Sequence, residues 1–129
     1  MAKLASAGPG QCWDGFGLTI TVTKADRSRA SLRLAGDLDI ASARMLTACL
    51  ETQLADGRRF IRMDFSGLAF VDSAGLDAVL EAHDAFLRDR GTLILVGIRG
   101  TTKRVVHLLH LDSVLLIAAG SDTNAAVHA

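Results

Sequence analysis

At 129 residues the chain has the length of one domain, and half of its residues are hydrophobic, enough for a single continuous core. Fourteen Lys and Arg balance fourteen Asp and Glu, which leaves neither a basic field to gather nucleic-acid phosphates nor an acidic tail to mimic them. No apolar run approaches the roughly 20 residues of a membrane helix and no secretory core opens the chain, so the expected setting is the cytoplasm, with no direct nucleic-acid or membrane partner.

The opening MAKLASAGPGQCWDG holds the single proline and several glycines without any period, and reads as a flexible leader over residues 1–15. From Phe16 the pattern alternates: Phe16, Leu18, Ile20 and Val22 share one face with threonines between them, as in a half-buried strand. Leu32 and Leu34 repeat that period and Gly36 ends the run, which predicts two neighbouring strands joined near Asp26 to Ser28. Past Asp39 the period changes, because Ala43, Leu46, Leu50 and Leu54 recur at three and four residues, the mark of an amphipathic helix closed by Gly57. Cys49 falls inside that apolar stripe and is expected to be a buried structural thiol; with only Cys12 besides, neither a zinc cluster nor a disulfide framework is indicated.

RFIRMDFSGLAFV returns to strand chemistry through Ile61, Met63 and Phe65. A second helix from about Ser73 buries Leu76, Val79, Leu80, Phe86 and Leu87 until Gly91 stops it. TLILVG, continuously apolar and rich in branched residues, predicts a central strand covered on both faces. Thr101 to Leu109 supplies a third helix through Val105, Val106, Leu108 and Leu109, and SVLLIA a last strand. The order β β α β α β α β is that of a mixed α/β layer structure with parallel crossovers, spanning residues 16–120 and followed by a tail over 121–129.

One stretch does more than fold. In FVDSAGL, Ser73 follows a strand and opens a helix, so it lies at or beside the N-cap, where unpaired amides and the aligned peptide dipoles tolerate an oxyanion. The simplest reading is a capping serine with Gly75 permitting close packing. A phosphate on Ser73, about −1.5 to −2 in charge, would leave the domain folded and be felt by a partner.

Three ordered matches set that turn in a wider pattern. MDFSGLAFVDSAGL (Met63 to Leu76) resembles the D-x-S-G turn and D-S-x-G-L signature of the STAS family, named for sulfate transporters and anti-sigma factor antagonists. LRLAGDLDIASARML resembles the family's G-E-L-D turn, with Asp37 where Glu is commoner. GTLILVGIRGTTKRVVHLLHLDSVL is similar to its later strand and helix, with His110 replacing a glycine. The resemblance covers roughly residues 16–118 and implies a STAS-like mixed sheet with helices packed mainly on one face. It further implies a cytoplasmic anti-sigma factor antagonist, monomeric when free. An anti-sigma factor serine kinase would phosphorylate Ser73 and release the chain; a serine phosphatase would reset it.

On the same resemblance, Asp72 helps to orient the hydroxyl and Asp39, in the first turn of the first helix, contributes to kinase binding. Gly75 keeps the turn open to the partner, and Ala74 removes an alternative acceptor. Leu76 completes the motif, while Asp77 joins the contact surface. Since the kinase supplies ATP and magnesium, this chain needs no cofactor of its own. The alternative function is a scaffold or accessory subunit of a sensory or transport complex that binds through the same surface without phosphorylation; a nucleotide-binding form is a third. Serine hydrolysis is disfavoured: Val71 stands where a nucleophile elbow needs glycine, and His83 lies ten residues along the helix. Ser66 is expected to tie its own turn, and the role of Trp13 is left open.

Overall fold

In a computed structural model, residues 9–108, 110–111 and 115–117 are described; residues 1–8 of the expected leader, Leu109, the Ser113, Val114 and Ala118 of SVLLIA and the tail over 121–129 lie outside them. Six strands form one sheet in the order β1-β2-β3-β4-β5-β6: β1 (Cys12–Gly15), β2 (Leu18–Ala25), β3 (Arg29–Leu38), β4 (Phe60–Val71), β5 (Thr92–Val96) and β6 (Leu116–Ile117). The first two pairings are antiparallel and the last three parallel. Three helices make the crossovers: α1 (Ala43–Ala55), α2 (Ser73–Arg88) and α3 (Gly100–Leu108). Because the parallel strands follow one another without reversal and such crossovers are right-handed, all three helices fall on the same face. Among the described residues no helix covers the other face of the sheet.

Burial follows from that asymmetry. Leu18, Ile20 and Val22 on β2, Leu32 and Leu34 on β3, and Ile61, Met63 and Phe65 on β4 point under the helices, where Leu46, Cys49 and Leu50 of α1 and Val79 and Phe86 of α2 meet them. Cys49 is fully enclosed, and burial pushes its thiol from 9.0 up to about 12. Between those positions, Thr19, Thr21, Ser31, Arg62 and Asp64 are half-buried on the open side. The expectation that β5 is covered on both sides needs correction for the same reason. Leu93 and Leu95 are buried, but Thr92 and Ile94 reach the open face and are only half-buried.

Other differences have local causes. The expected leader contributes an additional strand, because Cys12 to Gly15 pairs with Thr21 to Leu18 and Trp13, opposite Ile20, packs onto the core. Phe16, assigned to a strand by its alternation, instead occupies the two-residue connection to β2 at φ 55° and is 72% exposed. Gly36 does not end β3 but sits within it at φ 102°, since a Cβ there would run into the carbonyl of Gly17. Leu87 is exposed on the outer side of α2, as is Leu108 on α3.

One polar knot was invisible in the pattern. Arg58, buried at the foot of β4, donates from Nε to the Asp26 carbonyl at 3.1 Å and from Nη1 to Gln53 and Asp56 at 3.3 and 3.1 Å. It ties the β2–β3 turn to the end of α1.

Candidate functional site

β4 is longer than β5: its last residues pair only with β3, carrying the chain beyond the β5 pairing to the upper rim of the sheet. There Asp72 stops the strand. Its amide still donates to the Leu38 carbonyl at 3.1 Å, while its extended backbone (φ −111°, ψ −178°) turns the side chain toward the helix start. The Asp72 carboxylate accepts from the Gly75 amide at 2.9 Å, so Asp72 is the N-cap of α2. Ser73 is therefore the first helical residue rather than the cap, and it is exposed. At this position its own amide and that of Ala74 have no acceptor within the helix.

Gly75 carries out the close packing of the simpler reading. It is buried, and a Cβ there would stand 2.6 Å from the Leu38 oxygen and 2.7 Å from Leu38 Cγ. The missing side chain lets α2 press onto the end of β3; it does not open the turn to solvent. Leu76 is buried beside it, Ala74 is half-buried, and Asp77 is exposed one turn beyond Ser73, on the same side of the helix.

Asp39 also departs from expectation. It precedes α1 by four residues, in a turn where its Oδ1 accepts from the Ala41 and Ser42 amides at 3.0 and 3.1 Å. Ser42, fully buried, locks that turn by donating from Oγ to the Asp37 carbonyl at 2.8 Å and accepting from the Asp39 amide at 3.0 Å. Asp72 thus caps α2 while Asp39 closes the turn ahead of α1; Asp39 follows directly from the end of β3 and Asp72 packs on it. Ser66 does not tie its own turn with its hydroxyl as expected. Asp64 Oδ1 accepts from its amide at 2.8 Å and Arg99 donates to its carbonyl at 3.0 Å.

Asp37, Asp39, Asp72 and Asp77 lie at the end of the sheet where α2 begins, together with exposed Arg44, Arg99 and Lys103, whereas exposed Lys24, Arg27, Arg29, Arg88 and Arg90 lie at the opposite end with Asp26, Asp56 and Asp89. His83, nearest to Ser73 in sequence among the histidines, is buried on the core side of α2, away from the exposed hydroxyl. Among the described residues no group of three or more His, Cys, Asp or Glu is placed to hold a metal ion, and no helix is long and apolar enough to cross a membrane.

Comparison with known proteins agrees with this geometry. Residues 20–124 match the STAS domain family. The anti-sigma-F factor antagonist RsfB of Mycobacterium tuberculosis is 30% identical over 95 residues, 73% of this chain and 77% of the relative. Among solved structures, an anti-sigma factor antagonist from Mycobacterium paratuberculosis superposes with a TM-score of 0.75 at 23% identity, covering 87% of this chain and 95% of that one. The Bacillus cell fate determinant SpoIIAA in its phosphorylated form superposes with a TM-score of 0.64 at 24% identity, covering 84% and 98%. At those identities the structural matches speak to the fold.

Proposed function

Since the chain belongs to the STAS domain family, we propose that it is an anti-sigma factor antagonist, a regulatory binding protein of the cytoplasm switched by phosphorylation of Ser73. Unphosphorylated, it occupies an anti-sigma factor serine kinase and frees a sigma factor; phosphorylated, it lets go, and a serine phosphatase returns it. The observation that carries this reading is the position of Ser73: exposed, first in α2, on a rim held by the Asp72 cap and by the packing of Gly75 on Leu38.

Chemically, the Ser73 Oγ attacks the terminal phosphorus of the kinase-bound ATP. The new O–P bond forms as the bond to the bridging oxygen breaks, ADP departs, and the hydroxyl proton passes to a base of the kinase. The chain contributes an acceptor in fixed position and no cofactor. Phosphate on the first residue of α2 gains about 0.3–1 kcal/mol from the helix dipole and loses about 0.2–0.5 kcal/mol to Asp77 at the i+4 position. Both terms, and the added repulsion from neighbouring Asp72, are small against the about 5–15 kcal/mol that holds a domain folded, so the domain stays folded. The effect is felt across the interface, where the phosphoserine confronts the phosphates of the remaining nucleotide without intervening solvent, a juxtaposition that costs several kcal/mol.

Phosphosite mapping by mass spectrometry on the protein from its own cells, with and without stress, tests the proposal. Phosphate on Ser73 with changing occupancy is expected. Ser73→Ala should bind the kinase and resist release by ATP, and Ser73→Asp should bind poorly. A complex indifferent to ATP, with no phosphate at Ser73 under any condition, would leave the constitutive scaffold in its place.

A further inference from the structure

β2 carries a bulge at the end of the sheet remote from Ser73. Val22 pairs with Leu32 and Lys24 with Ser31, so Thr23 is the extra residue. Without it the alternation would turn Lys24 toward the helices; with it Ala25 packs on the core and Lys24 joins the helix-free face. β3 brings exposed Arg29 and Arg33 to that face, two residues on either side of Ser31. β4 adds half-buried Arg62, in register with Ser31 on its other flank.

Four cationic side chains therefore surround one small hydroxyl residue. Neighbours across strands stand about 5 Å apart and residues two apart on a strand about 7 Å, within reach of one another for side chains as long as these. Lys24, Arg29 and Arg33 make no side-chain hydrogen bond or ion pair among the described residues. The nearby carboxylates are turned to the backbone. Asp26 Oδ1 accepts from the Ser28 and Arg29 amides at 3.0 and 2.8 Å, and Asp64, in register with Arg33, accepts from the Ser66 amide at 2.8 Å. Asp14 lies on β1 and accepts from the Thr19 hydroxyl at 3.0 Å, while Arg99 sits at the other end of the sheet on the Ser66 carbonyl. Exposed Arg27 adds to the positive side, and Asp89 and Arg90 in the α2–β5 turn offset each other. A hollow of about 440 Å³ opens here, lined in part by Pro9, Thr23, Lys24, Asp26, Arg29 and Ser31.

We infer that this hollow binds a phosphate monoester group, carried by a small metabolite or by a lipid headgroup. Arginine forks match phosphate oxygens in pairs and lysine adds a point charge. Ser31 contributes a hydroxyl and leaves room above itself for the group. A carboxylate would bring only one charge to a ring of cations that a phosphate monoester meets with nearly two. Single-stranded nucleic acid is served by cations in a line with successive aromatic platforms, whereas these ring a single residue. The site stands apart from Ser73 and is independent of that residue's role.

Titration of the full chain with glycerol 3-phosphate at constant ionic strength, read by amide chemical shifts, tests the inference. The amides of Lys24, Arg29, Ser31 and Arg33 should move along one saturable curve with a Kd of about 1 mM or tighter, and chloride should leave them in place. Lys24→Gln and Arg33→Gln should each weaken binding roughly tenfold, since each removes a charge-assisted hydrogen bond. Arg88→Gln, exposed at the same end of the molecule but on α2, should leave binding unchanged. Phosphatidylcholine vesicles with and without phosphatidic acid separate the two sources. A headgroup site gives co-sedimentation that requires phosphatidic acid and is lost in Arg33→Gln; a metabolite site gives the shifts without co-sedimentation. Shifts that never saturate, that chloride reproduces or that survive both variants overturn the site, as does the absence of both shifts and co-sedimentation. Shifts confined to the amides of Ser73 and Ala74 overturn it too, because the start of α2 would then be the stronger anion site.

Discussion

Removing the Asp72 side chain is the most informative single perturbation of the site. Its carboxylate accepts one hydrogen bond, from the Gly75 amide at 2.9 Å, in a half-buried setting. Loss of such a cap costs about 1 kcal/mol, within a range of about 0.5–2. In a domain of this size that lowers Tm by about 4 °C. Asp72→Ala should therefore melt about 4 °C below wild type by calorimetry. Asp72→Asn keeps an acceptor of equal capping rank and forfeits only the charge–dipole attraction, about 0.3–1 kcal/mol, so its Tm should lie between the two. If the carboxylate acts purely as a cap, Asp72→Asn is phosphorylated on Ser73 at the wild-type rate. An Asp72→Asn variant that melts as low as Asp72→Ala would refute the capping argument. One that keeps its Tm but loses phosphorylation would show that the charge acts in the transfer itself.

Gly75→Ala sets a packing clash against a gain in helix propensity. The added Cβ would stand 2.6 Å from the Leu38 oxygen, where ordinary contact begins near 3.4 Å, and a backbone carbonyl cannot swing aside. Overpacking costs about 1–3 kcal/mol against at most about 1 kcal/mol gained, so denaturant unfolding should show a net loss of about 1–2 kcal/mol; a stabilised variant would contradict the packing. For Cys49, the folded-state thiol lies at about 12 against an ordinary 9.0, a raised value. The stability it contributes is complete below about pH 9 and is lost as pH rises toward 12. In the native protein at pH 8, iodoacetamide should label exposed Cys12 and spare Cys49, as peptide mapping will read out; rapid labelling of Cys49 would show that the core opens.

Period alone determined most of the framework. Alternation at Leu18, Ile20 and Val22 and the three-and-four spacing of Leu46, Leu50 and Leu54 identify faces that must be covered, whatever covers them. The enclosure of Cys49 and the placing of Ser73 where a strand gives way to a helix are legible for the same reason: each depends on neighbours within one or two turns of chain. Tertiary structure decided the rest. CWDG becomes an edge strand only because β2 lies beside it, Gly36 stays inside β3 only because the Gly17 carbonyl presses on it, and Gly75 is required by Leu38, which is distant in sequence. The fold likewise carries Asp37 and Asp39 to the rim that holds Asp72 and Ser73, because strands running in parallel bring residues far apart in the chain to the same end of the sheet.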